Sequence, residues 1–350
     1  MPNITIGLDL GDTYSALCVV DAAGEVLETG RVRTTAAALE ARFGDRAPMR
    51  VVLEAGTHSP WVSRLVAGLG HEVIVANPRK LRAVYASDSK ADRADAEYLA
   101  RVGRLDPRLL YGIQHRGEAV QADLAVVRSR AVLVQVRTQL INHTRGVVKA
   151  LGGRLPRCSA DAFARQAGPH VPAALGPALG PVLAQVAQLT AQIRDYDREL
   201  ERLCTERYPE TGLLRQVGGV GPVTALGYVL VLEDPARFPR SRVVGAYVGL
   251  RPRRQQTGDR DPQLGITKAG DPLLRRLLVQ AAHYILGPHG APCDLRRHGE
   301  RIAARGGKNA KKRAVVAVAR KLAVLLHHLW VTGDTYVPDY LAASASRAAS

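Results

Sequence analysis

Cysteine is sparse in this chain and carries no pattern: Cys18, Cys158, Cys204 and Cys293 lie far apart, and no two form a Cys-x-x-Cys pair. That excludes a thiolate zinc site and argues against a disulfide framework. Long apolar runs are lacking too. Nothing approaches the roughly 18 residues of a membrane span, and Met1 leads directly into strand-like sequence with no basic segment or apolar leader before it. A cytoplasmic location, reduced thiols and no membrane partner are the expectation. Acid is the third shortage: 32 Asp and Glu stand against 49 Lys and Arg, a net charge of +17. Such a balance points to an anionic partner, most simply nucleic acid. A lipid surface is the weaker reading, because no stretch joins the charge to an exposed aromatic and aliphatic face.

What is present suffices for folded domains. Apolar residues make up 46% of the 350, and the length suits two or three domains. Residues 4–9 and 16–20 read as a strand hairpin turned at Gly11, and 25–34 as a third strand. A helix follows over 35–43, then a strand over 49–54, a helix over 61–69 and a strand over 71–76 closed by Asn77-Pro78. This alternation is an α/β layer pattern.

Two of those strands end in an acid: Asp9 follows Ile6-Gly7-Leu8, and Glu54 follows Val51-Val52-Leu53. A carboxylate at the exit of a buried strand is costly unless it meets a cation or serves a turn. Asp9 alone fits either role. In open α/β sheets, however, sites form outside the carboxyl ends of strands. Lys90-Ala91-Asp92-Arg93-Ala94-Asp95-Ala96 then opens a helix with Asp92 and Asp95 on one face. Either could be a first-turn acid complementing the helix dipole, but that does not account for four acids in this order.

An acid on the first strand, another on a later strand and an Asp-x-x-Asp helix after the last strand form the layout of a ribonuclease-H-like nuclease. Gly7-Leu8-Asp9-Leu10-Gly11, Leu53-Glu54-Ala55 and residues 90–96 resemble the Asp-Glu-Asp-Asp signature of the transposases typified by insertion sequence 110. The resemblance implies a RuvC-like DEDD catalytic domain of α/β ribonuclease-H-like fold over residues 1–104. Asp9, Glu54, Asp92 and Asp95 would there hold two Mg²⁺, hard cations that stabilise the attacking and leaving oxygens of a phosphodiester.

Residues 105–210 read as a helical, coiled-coil insert. Val127, Val134, Ile141 and Val148 recur at heptad spacing over 119–151, and Arg128, Arg130, Arg137 and Lys149 would add positive charge to that helix. A Gly/Pro-rich linker is expected over 168–181. Val182, Val186, Leu189, Ile193, Tyr196, Leu200 and Leu203 then mark a second seam. An intramolecular helical hairpin and a dimer seam fit the pattern equally. The resemblance implies an insert that helps a homo-oligomer form, from dimer to tetramer.

Residues 211–335 carry the rest of the resemblance, a mostly α-helical transposase domain. Residues 213–222 read as a helix-hairpin-helix turn whose Gly219 and Gly221 would aim backbone N–H groups at phosphate; a plain Gly/Pro turn is the alternative. Residues 246–259, followed by 265–271, resemble the family's second active-site loop. Thr257 stands where the family has its nucleophilic serine, just before Gly258. A secondary hydroxyl is bulkier, yet threonine nucleophiles exist. Ser241 is a weaker candidate that reads first as a helix cap. Arg253, Arg254 and Lys268 would neutralise transition-state charge. From Arg296 to Lys321 ten Lys and Arg face a single acid, Glu300. Val315, Val318, Leu322, Leu325 and Leu329 predict a packed helix over 314–330. Lys308, Lys311, Lys312 and Arg313 at its start have the wrong sign for the helix dipole and suit phosphate; a solvated basic face is the other reading. Residues 336–350 read as a disordered tail.

The reading is a DNA transposase or recombinase of an insertion sequence, using Mg²⁺-assisted attack by a hydroxyl side chain on DNA. The resemblance further implies guidance by a structured (bridge) RNA encoded by the element. The main alternative is a Mg²⁺-dependent hydrolytic nuclease of the Holliday-junction-resolving type, which needs only the four carboxylates. A sugar-kinase-like ATPase is disfavoured, because Asp9-Leu10-Gly11-Asp12-Thr13 has no second phosphate loop to partner it.

Overall fold

The computed structural model describes residues 3–84, 92–258, 260, 262 and 264–340, with backbone only for Arg82, Ala83, Val84 and Asp92. Contacts divide the chain into two compact units, Met1–Glu118 and Ala119–Ser350. In the first, the elements run β1 (Thr5–Asp9), β2 (Tyr14–Val20), β3 (Val26–Arg33), α1 (Ala36–Phe43), β4 (Arg50–Glu54), α2 (Ser59–Gly68), β5 (Glu72–Ala76), α3 (Pro78–Val84) and α4 (Asp92–Leu105). The sheet order is β3-β2-β1-β4-β5. β1, β2 and β3 pair antiparallel, while β1, β4 and β5 pair parallel. This mixed sheet agrees with the ribonuclease-H-like expectation.

The alternation of side chains along a strand sorts the sheet's two faces. Ile6, Leu8, Val51 and Leu53 meet Leu39, Phe43, Val62 and Val66 of α1 and α2 on one face. Cys18 and Val20 meet Ala96 and Ala100 of α4 on the other. Gly7 sets how close that helix comes: a Cβ there would stand 1.9 Å from the Ala96 carbonyl oxygen. At the helix's far end, the buried Arg50 guanidinium donates to Gly103 O at 2.9 Å, and Arg101 donates to Gly24 O at 3.0 Å. Both partners lie at the edge where β1 and β4 begin. α4 therefore runs against β1 and β4, and its first turn lies toward their carboxyl ends.

The second unit is helical: α5 (Glu118–Ala150), α6 (Phe163–Ala167), α7 (Gly176–Glu206), α8 (Thr211–Leu214), α9 (Pro222–Leu232), α10 (Val244–Tyr247), α11 (Pro272–Leu286), α12 (Asp294–Ala303) and α13 (Ala310–Thr332). α5 and α7 form an antiparallel hairpin. Asp123 accepts from Arg207 and Tyr208, Arg137 donates to Thr190, and Ile141 shares a cluster with Val186. The seam read on α7 is thus spent within the chain.

Two expectations need correcting here. The linker read over 168–181 is largely helical: α7 begins at Gly176 and carries Pro181 inside it, and Pro177 falls in the first turn, where its missing N–H costs nothing. The positive charge read on α5 is largely paired within the chain. Arg128, Arg130 and Arg137 pair with Asp271, Asp197 and Asp161 at 2.8, 2.6 and 2.6 Å, because folding brings these distant acids against the helix.

Around α9, buried along almost its whole length, pack α11 and α13. Tyr228 donates to Ala323 O at 2.6 Å. α13 begins four residues before the expected start. Among the described residues it is the one helix long and apolar enough to cross a membrane, and its Val318, Leu322, Leu326 and Leu329 belong to the core. All four cysteines are free thiols, as expected.

Candidate active site

The register of the parallel pair, with Leu8 opposite Leu53, delivers Asp9 and Glu54 side by side at the carboxyl edge of β1 and β4. Both are half-buried. Past them the chain makes two loops, and His58 ties one to the other. The indole N–H of Trp61 donates to His58 Nδ1 at 3.1 Å, so in the neutral ring Nε2 carries the proton and donates to Asp12 Oδ1 at 3.2 Å. Ser59 closes the second loop on itself, accepting from Gly56 N and donating to Gly56 O, and His115 Nε2 lies 2.8 Å from the same hydroxyl. Burial, with Arg64 and Arg116 close by, holds the His115 imidazole below its ordinary pKa.

The acids of α4 belong to the same edge. Ala96 lies over Gly7, and four residues of helix span about the same 6 Å as two of strand. The backbone of Asp92 therefore falls level with Asp9. Asp95 is half-buried on the following turn, while the side chain of Asp92 and the preceding Lys90-Ala91 lie outside the described residues. Among the described residues no three His, Cys, Asp or Glu side chains converge on a common metal position. What the sheet brings together is the pair Asp9 and Glu54, with the helix that carries the other two acids seated at the same edge.

Thr257 is placed differently. Residues 250–268 leave the core as a hairpin-like arm. Arg253 N–H donates to Gly265 O and Thr267 N–H to Arg251 O, both at 2.9 Å, and Thr257 and Arg260 exchange two backbone bonds of 3.1 Å at the tip. Gly258 turns that tip with φ +57°. Every residue from 251 to 258 is exposed, Arg253, Arg254 and Thr257 included, as is Lys268. Two glycines with positive φ close the base: a Cβ on Gly249 would stand 2.2 Å from Ala269 O, and one on Gly270 2.0 Å from Tyr247 O. Asp259, Asp261 and Gln263 lie outside the described residues.

The remaining sequence candidates divide. Gly219, at φ +89°, packs its turn on α11, where a Cβ would meet Tyr284 Cδ1 at 2.9 Å. Exposed Gly221 precedes Pro222 at the start of α9. The helix before that turn, α8, has only four residues. Lys308, Lys311, Lys312 and Arg313 are all exposed and pair with no described acid. Ser241 does not cap a helix through its side chain. The buried His327 donates from Nε2 to Pro235 O, which leaves Nδ1 to accept the Ser241 hydroxyl at 3.0 Å. That hydroxyl pins the turn onto α13.

Acids leaving adjacent parallel strands beneath an acid-bearing helix, followed by a helical unit with an exposed hydroxyl arm, place the chain among the DEDD transposases. Residues 6–152 match the DEDD transposase model of the IS110 type, and residues 211–292 match the model described as "Transposase IS116/IS110/IS902 family". The transposase for insertion sequence element IS1111A of Coxiella burnetii is 30% identical over 345 residues, 95% of this chain and 90% of that protein. The transposase for insertion sequence element IS1328 of Yersinia enterocolitica is 31% identical over 286 residues, covering 81% and 84% of the two chains. The chain belongs to the IS110 family of insertion-sequence transposases.

Proposed function

We propose that this transposase cuts and rejoins DNA by transferring a phosphodiester to the Thr257 hydroxyl. The threonine oxygen bonds to phosphorus, the bond to one sugar oxygen breaks, the hydroxyl proton passes to solvent and the freed sugar oxygen gains one. Reversal by a new sugar hydroxyl rejoins the strand without an external energy source. The observation that carries this reading is the adjacency of Asp9 and Glu54 at the carboxyl edge of β1 and β4, beneath the helix bearing Asp92 and Asp95. These hard oxygen donors suit Mg²⁺, and all four would hold it; when bound, the metal supplies Lewis-acid stabilisation of phosphate charge. Arg253, Arg254 and Lys268 on the arm would bind the phosphate and its transition-state charge. Gly219, Gly221, Lys308, Lys311, Lys312 and Arg313 would hold the flanking backbone, positioning without reading sequence.

The same reading includes a structured guide RNA, a cytoplasmic location and a homo-oligomer. For the last, the support is on α5: Ala122, Ala125, Ser129, Val132, Val136, Gln139, His143, Gly146 and Ala150 recur at spacings of three and four, all exposed and with no Asp, Glu, Lys or Arg among them. In so basic a chain, that face is where a second copy can approach without charge repulsion.

Trapping the covalent step tests the proposal. The protein is incubated with its element's end DNA, its associated RNA and Mg²⁺, and the products are run on a denaturing gel. A protein–DNA adduct that maps to Thr257 and vanishes in Asp9→Ala is expected. Nicking with no adduct would instead establish the hydrolytic nuclease.

A further inference from the structure

A cleft of about 1650 Å³ opens in the second unit, between the base of the Thr257 arm, α12, α13 and residues 334–340. It is larger than the roughly 300–1,000 Å³ that holds a single small molecule, and its lining is of two kinds. Leu295, Ile302, Val316, Leu325 and Leu329 give it an apolar floor, and Arg242, Lys268, Arg305, Lys312, Arg320 and Lys321 a basic rim. Two acids also line it, fewer than the bases of that rim: Asp294 pairs with Arg297 and Asp334 lies against His328. His298, also in the lining, is held below its ordinary pKa by burial and by Lys321, Arg301 and Arg305. Tyr336 and Tyr340 line the wall formed by the C-terminal segment.

Duplex DNA offers phosphates outside and keeps its bases stacked inside, so it would satisfy the rim and leave the floor empty. An unpaired strand offers both surfaces, and its bases have flat apolar faces that stack on such walls. We propose that the cleft seats an unpaired segment of DNA, with phosphates on the rim and bases on the floor. Leu250, Pro252, Ile266 and Lys268 make one wall out of the base of the arm, so a strand lying there is continuous with the one presented to Thr257. This inference rests on the function proposed above; it adds that the strand beside the scissile phosphate is held with its bases unstacked.

Binding of fluorescent oligonucleotides to the full-length protein tests it, using strands of about 16 nucleotides: single-stranded DNA, the same strand without bases, the duplex, and RNA. Bases worth about 1–3 kcal/mol each when stacked predict a preference of roughly tenfold or more for the intact strand over the abasic one. Ala317→Trp, which fills the cleft from α13 without altering charge, should erase that preference and leave duplex affinity and thermal stability unchanged. Lys312→Ala with Arg320→Ala should weaken all ligands, lowering the salt slope by about 0.7 per lost contact. As a measurement that needs no variant, photocrosslinking of iodouracil-substituted DNA should map to Tyr336 or Tyr340. Equal binding of intact and abasic strands, crosslinks elsewhere, or a preference for RNA over DNA that Ala317→Trp erases overturns the assignment. Failure to bind any nucleic acid would bring down the proposed function itself, whereas duplex binding without single-strand preference removes only the cleft.

Discussion

The carboxylate edge and the hydroxyl arm solve opposite problems. Asp9 and Glu54 are fixed by strand register, by a helix that touches the backbone at Gly7 and by the tie from His58 to Asp12. Thr257 sits at an exposed tip joined to its own return strand by backbone bonds. In the function proposed above, carboxylates that hold cations have to be pre-formed, because like charges drawn together at the moment of reaction would repel, and a nucleophile that becomes bonded to DNA is better carried on an element that the substrate can complete. That function would place rigidity where charge repulsion demands it.

This contrast can be broken at either end. The largest effect should come from Asp9→Ala or Glu54→Ala, each lowering strand cleavage by about 10³-fold while the circular dichroism melt stays close to wild type. Thr257→Ala should abolish the covalent adduct, and Thr257→Ser should restore it to at least the wild-type level, read on denaturing gels; loss in both variants would show that the arm serves only as a binding element. Gly7→Ala drives a methyl into the α4 backbone and should cost about 3 kcal/mol of overpacking, seen as a lower melting temperature with loss of cleavage. Gly258→Ala, with open space around it, should cost only about 1 kcal/mol for its left-handed backbone and leave the melt near wild type.

Smaller shifts should come from proton and charge. The native imidazole of His115 titrates below the ordinary 6.5, so below about pH 6.5 the unfolded chain binds more protons than the native one. Its contribution is fully present above that pH and is lost as pH falls toward the depressed native value. Urea midpoints measured between about pH 7 and pH 5 should drop, and less steeply in His115→Gln. The smallest effect belongs to Arg128→Ala. Its guanidinium is half exposed, and the buried Asp271 carboxylate it pairs with keeps the Leu274 N–H as a donor, so stability should change by about 1 kcal/mol, and DNA affinity by less than it does in Lys312→Ala.

Most of the first unit's elements could be read from the chain to within a few residues, because a strand's apolar run and the Thr35 cap of α1 are local features; α3, which follows Asn77-Pro78, was not. Asp9 and Glu54 were legible for the same reason: an acid at the exit of an apolar run stands out. The closeness of α4 was not, since nothing in Gly7 names Ala96 as its neighbour until the helix is docked. The same holds for the arginines of α5, whose partners Asp161, Asp197 and Asp271 lie far along the chain. His58 and Trp61 lie only three residues apart, yet the proton arrangement that links them to Asp12 appears only with both loops in place. The cleft joins residues from 242 to 340 that share no motif, and no local pattern announces it.

The paired glycines at the foot of the arm have a consequence for how this enzyme can change. Because Gly249 and Gly270 bring the outgoing and returning chain into backbone contact, and Leu250 and Ile266 just above them are held by the core, the fold fixes the foot of the arm and not the length of its tip. Doubling the length of such a loop costs only about 0.6 kcal/mol of closure entropy, so insertions beyond the bond from Arg253 N–H to Gly265 O are thermodynamically cheap. The arm can therefore vary in reach while the socket beneath it keeps its shape.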